Sequence, residues 1–165
     1  MRSIPLGGKL AAGRVAIVDD EDYELVSRHS WSIQERKRAR KPSGPYAQAP
    51  GPEGSGPILM HKLITGWPMT DHINGNGLDN RRSNLRPVTN HQNRMNQSPQ
   101  IGRASRFKGV TWDAQRQKWQ ARITFNYKQH ALGRFTSEED AARAYDAAAT
   151  EMFGEFAWLN FRLGA

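Results

Sequence analysis

The residues best suited to chemistry lie between positions 71 and 93 of the sequence. Asp71 and His72 are adjacent, Asn84 follows after a loop rich in Asn and Gly, and Asn93 comes shortly after it. Carboxylate and amide oxygens suit hard cations such as Mg²⁺ and Mn²⁺. An imidazole beside such an ion can take a proton from water near neutral pH, and a mid-loop amide at Asn84 could hold that imidazole in one tautomer. Together these groups are the parts that phosphodiester hydrolysis needs.

The surrounding sequence predicts the elements that would position these groups. The stretch 74–77 has turn chemistry, because Asn and Gly accept positive φ. The segment 85–88 is extended and contains Pro87, which favours an edge strand. Thr89 or Asn90 can cap a short helix that carries Asn93. We therefore expect a strand, a structured loop, a second strand and a helix, which would bring Asp71 and His72 opposite Asn93.

Residues 58–96 resemble the His-Asn-His (HNH) endonuclease motif, the ββα-metal fold, in the version found in phage homing endonucleases. The resemblance rests on the Asp71-His72 pair, the Asn-Gly-Asn loop, the stretch 79–86 and the late Asn93. It implies that His72 is the general base, that Asp71 and Asn93 are metal ligands, and that Asn84 orients His72. Asn93 stands where many relatives carry His, which favours Mg²⁺ or Mn²⁺ over Zn²⁺ as the cofactor.

Several polar residues near this motif keep two interpretations open. His61 lies in a segment, 59–64, that also resembles the phage subgroup, and it either packs structurally or supports the active site. Four arginines are either a solvated face or DNA phosphate contacts: Arg81, Arg82, Arg86 and Arg94. The remaining three of the five histidines, His29, His91 and His130, are expected to be structural or on the surface.

The region before the motif predicts strands and one helix. Arg14–Val18, Trp31–Ile33 and Tyr46–Ala47 indicate strands, and the acidic residues 19–22 are expected to cap a helix that starts at Tyr23. The basic run 35–41 is either a solvated loop or a phosphate contact in a nuclease groove.

Residues 107–135 alternate in a way that predicts three antiparallel strands. In the middle strand, Trp119, Ala121, Ile123 and Phe125 share one face. The opposite face holds Lys118, Gln120, Arg122 and Thr124, and this strand parity predicts Gln120 and Arg122 as DNA contacts. The hairpin turn falls at 126–128. Thr136 or Ser137 is expected to cap an alanine-rich helix that ends at Gly154.

Charge separates clearly in this C-terminal region. The span 103–134 holds eight Lys or Arg and the single acid Asp113, whereas the span 137–155 holds six acids and the single base Arg143. The helix is therefore expected to cover one sheet face away from DNA, and the basic face to enter the major groove.

Residues 105–161 resemble the Apetala/ethylene-response-factor DNA-binding domain in the segments 105–110, 118–119, 132–135, 139–146 and 159–161. That family lays its sheet in the major groove of DNA. Asn160 is expected to tie the C-terminal segment to the sheet. By position, the DNA-facing sites implied by the resemblance are Lys108, Thr111, Asp113, Lys118, Thr124, Gln129 and Ala131.

Composition supports a folded protein that binds a polyanion. The 165 residues carry a formal net charge of +8, contain no cysteine and give a pI of about 10.2. Nucleic acid is the usual partner of such a chain, and thiolate zinc sites are excluded. We expect no transmembrane helix and a cytoplasmic location, in a bacterial host cell if the chain is phage-encoded.

The sequence therefore predicts an α+β protein with a ββα-metal nuclease module and a three-stranded antiparallel sheet packed on one helix. We expect a nuclease domain at 1–97 with its core motif at 58–96, a linker at 98–104 and a DNA-binding domain at 105–163. The predicted function is a metal-dependent, homing-type DNA endonuclease, with nicking favoured by its single active site. Double-stranded DNA is the expected partner of a monomer or a homodimer.

Two rival functions stay open at this stage. The first is a non-catalytic DNA-binding regulator whose nuclease core has decayed, against which the joint presence of Asp71, His72, Asn84 and Asn93 argues. The second is an RNA-binding or ribosome-associated protein, which the charge alone suggests.

Overall fold

A computed structural model describes residues 1–34, 44–98 and 104–161. The chain divides into two compact units, Met1–Asn90 and His91–Ala165. Each unit mixes helices with small antiparallel sheets, in agreement with the predicted α+β class. The basic run 35–41 and most of the predicted linker, residues 99–103, lie outside the described residues, so their predicted roles stay predictions.

The first unit is built from short elements. Strands β1 (Arg2–Pro5) and β2 (Val15–Val18) pair antiparallel, as do β3 (Ser32–Gln34), β4 (Tyr46–Ala49) and β5 (Ile58–Leu59) in a three-stranded sheet. Helices α1 (Tyr23–Ser27) and α2 (Met60–Thr65) are followed by the paired strands β6 (Thr70–His72) and β7 (Leu85–Pro87). Met60, Val18 and Val26 are fully buried in one apolar cluster shared by these elements.

The acidic residues before α1 do not cap it, contrary to the prediction from their position. No side-chain cap hydrogen bond is formed at the start of α1 or of the 3-10 turn Asp20–Asp22 that precedes it. Instead, Asp19 Oδ2 accepts from the backbone N–H of Arg82 at 2.8 Å, and Asp22 binds the Arg82 guanidinium. A full guanidinium charge and a distant backbone donor attract these carboxylates more strongly than the local helix amides do.

The second unit begins with α3 (Asn90–Met95), followed by an antiparallel sheet in the order β10-β9-β8. Its strands are β8 (Val110–Asp113), β9 (Lys118–Phe125) and β10 (Lys128–Phe135), and α4 (Glu138–Phe153) packs on the sheet. Ala121, Ala141 and Ala142 are fully buried where helix and sheet meet, so small side chains allow a close approach. The predicted three-stranded sheet on one helix is therefore present.

The ends of α4 follow the sequence signals. Ser137 Oγ accepts from the Asp140 N–H at 3.2 Å, and the helix ends at Gly154. Asn160 ties the C-terminal segment to the sheet as expected, since its Oδ1 accepts from the Lys108 N–H at 2.7 Å and its Nδ2 donates to Lys108 O at 3.2 Å. A Cβ at Gly109, whose φ is +77°, would lie 2.0 Å from Tyr145 Cδ2, so only glycine fits there.

The order strand, loop, strand, helix that the sequence predicted around the chemical residues is found along the chain as β6, the loop 73–84, β7 and α3. The helix α3 belongs almost wholly to the second unit. The packed ββα module therefore stays a prediction. Within the described residues, no helix is long and apolar enough to cross a membrane.

Candidate active site and nucleic-acid interface

The loop between β6 and β7 is held together by its own amide side chains. Asn84 Oδ1 accepts from the Asn74 N–H at 3.0 Å, and Asn84 Nδ2 donates to Asp79 O at 2.8 Å. Asn74 Nδ2 donates to Asp79 Oδ2 at 2.9 Å. β2 anchors the same loop, because Asn80 N–H donates to Ile17 O at 2.7 Å. Asn84 thus fixes the loop that follows His72, because its side chain binds the backbone N–H of Asn74 and the backbone carbonyl of Asp79.

The loop also contains two arginines bound to buried carboxylates. Arg81 donates from Nε and Nη2 to the two oxygens of Asp79 at 2.7 and 2.6 Å, and lowers the pKa of that carboxyl. Arg82 makes a similar two-point pair with Asp22 at 2.9 and 2.7 Å. Both guanidinium groups, which the sequence suggested as phosphate contacts, therefore bind within the first unit and remain 38% and 50% exposed.

His72, the predicted general base, is buried at the end of β6. Its Nε2 lies 3.3 Å from Asn80 Oδ1, and the Asn80 side chain is itself fully buried. Burial lowers the pKa of His72, while the Asn80 contact and the charges of Asp71 and Asp79 oppose that shift. Asn80, a residue that the sequence did not single out, thus provides a side-chain oxygen at hydrogen-bond distance from the imidazole.

His61 and Tyr46 surround the His72 ring. The His61 and His72 ring centroids are 5.0 Å apart in an edge-to-face arrangement, and Tyr46 lies 5.5 Å from His61 and 5.8 Å from His72. Burial, then the neighbouring His72 and Lys62, lowers the pKa of His61 to about 3. Among the described residues, His61 Nδ1 has no hydrogen-bond partner although it is buried. The structure therefore brings His61 to the site, as a neutral ring in contact with the predicted base.

Asp71, a predicted metal ligand, forms a buried ion pair with Arg86. The two residues face each other across β6 and β7, and Asp71 Oδ2 accepts from Arg86 Nε at 3.1 Å and Nη2 at 2.8 Å. Both side chains are more than nine-tenths buried. The guanidinium compensates a carboxylate that would otherwise be costly to bury.

Asn93, the other predicted metal ligand, lies on α3 in the second unit. In residues 1–34, 44–98 and 104–161, no group of three or more His, Asp or Glu side chains could form a metal cage. A donor set of one carboxylate and one amide suits Mg²⁺ or Mn²⁺, which keep several waters and take substrate phosphate oxygens, rather than Zn²⁺. The chemistry of the Asp71 carboxylate, which is paired with Arg86, and of the Asn93 amide suits such an ion, and their joint binding of one ion stays a prediction.

The second unit presents most of the predicted DNA contacts on its sheet. Along β9, Lys118, Arg122 and Thr124 are exposed, whereas the alternate residues Ala121 and Ile123 are buried against α4. Gln129 on β10 is exposed, and Lys108 and Thr111 are partly so. Gln120 is the exception to the parity prediction. It is 7% exposed, and its Oε1 accepts from Arg122 Nη2.

Sequence reasoning missed two residues of the first-unit site, Tyr46 and Asn80. It considered Arg86 only as part of a solvated face or as a phosphate contact, and the solvated face is wrong because Arg86 is buried against Asp71. Asn80 and Arg86 both lie in the stretch 79–86 that carried the family resemblance. Antiparallel pairing of β6 with β7 places Arg86 opposite Asp71. Tyr46 had no such signal, because it reaches the site only through the pairing of β4 in another sheet.

Comparison with known proteins covers both units. An uncharacterized HNH endonuclease of Acanthamoeba polyphaga mimivirus is 39% identical over 152 residues, which are 90% of this chain and 75% of that protein. Protein 3.8 of Escherichia phage T7 is 32% identical over 87 residues, 53% of this chain and 71% of that protein. No solved structure matches the chain.

The second unit has its own relatives. Residues 105–155 match the AP2 domain family. An AP2-like ethylene-responsive transcription factor of Arabidopsis thaliana is 45% identical over 62 residues, which are 36% of this chain and 11% of that much longer protein. The similarity to the viral protein extends over nine-tenths of this chain, and the second unit contains an AP2 domain. This chain therefore belongs to the HNH endonuclease family.

Proposed function

We propose that the chain hydrolyses phosphodiester bonds of double-stranded DNA with the help of a divalent ion, Mg²⁺ or Mn²⁺. The observation that carries this proposal is the buried imidazole of His72, beside Asp71 and 3.3 Å from Asn80 Oδ1, in a chain of the HNH endonuclease family. A buried, oriented imidazole next to a carboxylate is the arrangement that general-base hydrolysis requires.

His72 would move the proton in this reaction. The imidazole would accept the proton of the attacking water, and Asn80 Oδ1, 3.3 Å from Nε2, would help to hold the ring in place. Asn84 would act as a positioning residue, because it fixes the loop that carries Asn80. The edge-to-face contact with His61 would hold the ring plane, so His61 supports the base without itself touching the reacting atoms.

Asp71 and Asn93 would hold the ion in this proposal. When bound, the ion supplies positive charge to the phosphate and to the leaving oxygen. Arg86 pairs with the buried Asp71 carboxylate and fixes its orientation through two N–H donors.

The second unit would bind the DNA. Its AP2 domain and its exposed basic strand support duplex binding, with Lys108, Thr111, Lys118, Arg122, Thr124 and Gln129 as contacts and Gln120 acting through Arg122. Arg81 and Arg82 are partly exposed, so the donors that their carboxylate partners do not use can still meet a phosphate. Joining the two units raises the local concentration of one on DNA once the other has bound.

We also propose that the enzyme nicks one strand, because one chain carries one such site. The similarity to proteins of a giant virus and of phage T7 supports a virus- or phage-encoded homing enzyme that acts in the cytoplasm of its host. Domains at 1–97 and 105–163, joined by 98–104, are the proposed functional division.

A plasmid cleavage assay tests the proposal. Supercoiled plasmid is incubated with the full chain in Mg²⁺, in Mn²⁺ and in EDTA, beside His72→Ala and the matched control His130→Ala, whose exposed side chain lies on β10. We expect relaxed plasmid from the wild type and from His130→Ala with metal, and none from His72→Ala or in EDTA. Intact plasmid across all divalent ions would contradict the proposal.

A second function, a DNA-binding regulator without catalysis, is favoured by one observation. The Asp71 carboxylate is already neutralised by Arg86, as it would be in a core that no longer binds metal. In the same assay this regulator would bind plasmid without cutting it under any metal condition.

A further inference from the structure

The second unit contains a cavity of about 330 Å³ whose lining includes three predicted DNA contacts, Lys108, Arg122 and Thr124. Its apolar wall is formed by Met95, Tyr145 and Phe153, which belong to or border the cluster between sheet and helix. The volume lies at the lower end of the range in which proteins bind small ligands, about 300–1,000 Å³. A flat group the size of a base can therefore be accommodated.

The rim of this cavity carries cationic side chains and no carboxylate among its lining residues. Arg94, Lys108 and Arg122 line it, together with His91. Lys108 Nζ donates to Met95 O at 2.6 Å, and Arg122 donates to Gln120 and Gln129, so these cations are held in place. The buried His91 Nε2 has no partner in the part of the chain that the structure describes. Such a rim favours an anion, and a phosphate is the anion on a DNA-binding face.

Tyr127 stands at the edge of the cavity in a conformation that its own backbone disfavours. It forms the two-residue turn between β9 and β10 with Asn126, and their φ values are +62° and +48°. Turns of this kind usually take Asn-Gly, because glycine adopts positive φ without a steric penalty. Tyr127 is nevertheless an aromatic residue that is 88% exposed, and its ring lies 6.2 Å from that of His91. A strained and exposed aromatic residue beside a cationic cavity indicates binding rather than folding.

From the cavity, the cationic rim and the exposed ring, we infer that this site binds a nucleotide of DNA whose base has left the duplex stack. The ring of Tyr127 stacks on the base at the apolar wall, and the cationic rim binds its phosphate. Aromatic stacking beside a basic groove is the general means by which proteins hold single-stranded nucleotides. This inference rests on the proposed DNA binding and adds a preference for unstacked over paired nucleotides.

Binding measurements without cleavage test this inference. The full chain is titrated in EDTA with an intact duplex and with the same duplex carrying a two-nucleotide single-stranded gap, in which one unpaired base is 2-aminopurine. The variants are Tyr127→Gly, which restores the favoured Asn-Gly turn and so preserves the fold, and Tyr127→Phe, which keeps the ring. Arg94→Gln removes one cation of the rim.

We expect the wild type and Tyr127→Phe to bind the gapped duplex about tenfold more tightly than the intact one and to quench the 2-aminopurine. Tyr127→Gly should lose that preference and the quenching while its melting temperature is unchanged or raised, and Arg94→Gln should lower the salt dependence of gapped-duplex binding. Equal affinity of the wild type for both duplexes, or a preference that Tyr127→Gly retains, would overturn the inference while duplex binding stands. No binding to either duplex would overturn the proposed DNA binding as well.

Discussion

The two units use polar residues in opposite ways. The first unit buries Asp22, His61, Asp71, His72, Asp79, Asn80, Asn84 and Arg86, whereas the buried polar residues described in the second are Asn96, Ser105 and Gln120. Buried polar groups are stable only when their partners are in place, so they rigidify a site at a cost in stability. The sheet of the second unit instead exposes its polar face, so alternation of polar and apolar residues along each strand is enough to form it. The difference suggests chemistry in the first unit and recognition in the second.

The largest expected effect separates these two roles by kinetics. His72→Ala should lower kcat of DNA cleavage by about 10³-fold without changing the DNA dissociation constant, because it removes a general base but no DNA contact. Arg122→Ala, in the second unit, should weaken DNA binding and its salt dependence while kcat at saturating DNA is kept. Single-turnover cleavage and fluorescence anisotropy measure the two quantities. A comparable loss of binding in both variants would break the comparison.

Removal of one arginine from each unit tests the difference in burial. Arg86→Met leaves the Asp71 carboxylate buried without its guanidinium and should lower the free energy of unfolding by about 3–5 kcal/mol. Arg106→Met removes an exposed pair with Glu139, 3.2 Å long, and should cost at most about 1 kcal/mol.

Urea unfolding, read by hydrogen exchange in each unit separately, measures both arginine variants. Similar losses from the two would mean that the buried pair contributes no more than a surface pair.

Acidification should destabilise the first unit through its buried histidines. Between pH 6.5 and about 3, the unfolded chain binds a proton at His61 that the folded chain does not, because the pKa of His61 is about 3 when folded. The free energy of unfolding should therefore fall with decreasing pH, by up to about 1.4 kcal/mol per pH unit from this residue. The variant His61→Gln should have a shallower slope in urea titrations from pH 7 to 4, and an unchanged slope would contradict the assignment.

The smallest effect concerns the second unit alone. Ser137→Ala removes the side chain that accepts from the Asp140 N–H, and should cost about 1 kcal/mol of stability. Ser137→Asp keeps an acceptor at the same position and should restore most of the loss in thermal unfolding. Cleavage by both variants, measured below their melting temperatures, should match the wild type if recognition and chemistry are separate.

The second unit was the easier to predict from sequence. Period-two alternation in β9, the Ser137 cap and Gly154 are local signals, and each of them is found where expected. Gln120 departs from its predicted exposure, and its Oε1 accepts from Arg122 Nη2, a contact that alternation alone does not reveal.

In the first unit, the motif identified the chemical residues but not their contacts. Asp19 and Asp22 precede a helix in sequence, yet they bind Arg82, about sixty residues later. Asn80 and Tyr46 reach the His72 ring through a loop fold and a separate sheet. Such contacts depend on tertiary packing, so local propensity could not give them.

The most direct test of the central claim is a crystal structure of the full chain with duplex DNA and Mn²⁺, with the ion located by anomalous scattering. We expect one ion that is bound by the Asp71 carboxylate, the Asn93 amide oxygen and a DNA phosphate, with the His72 ring facing that phosphate. An ion bound elsewhere, or a DNA complex in which Asp71 binds only Arg86 and no ion lies near His72, would contradict it.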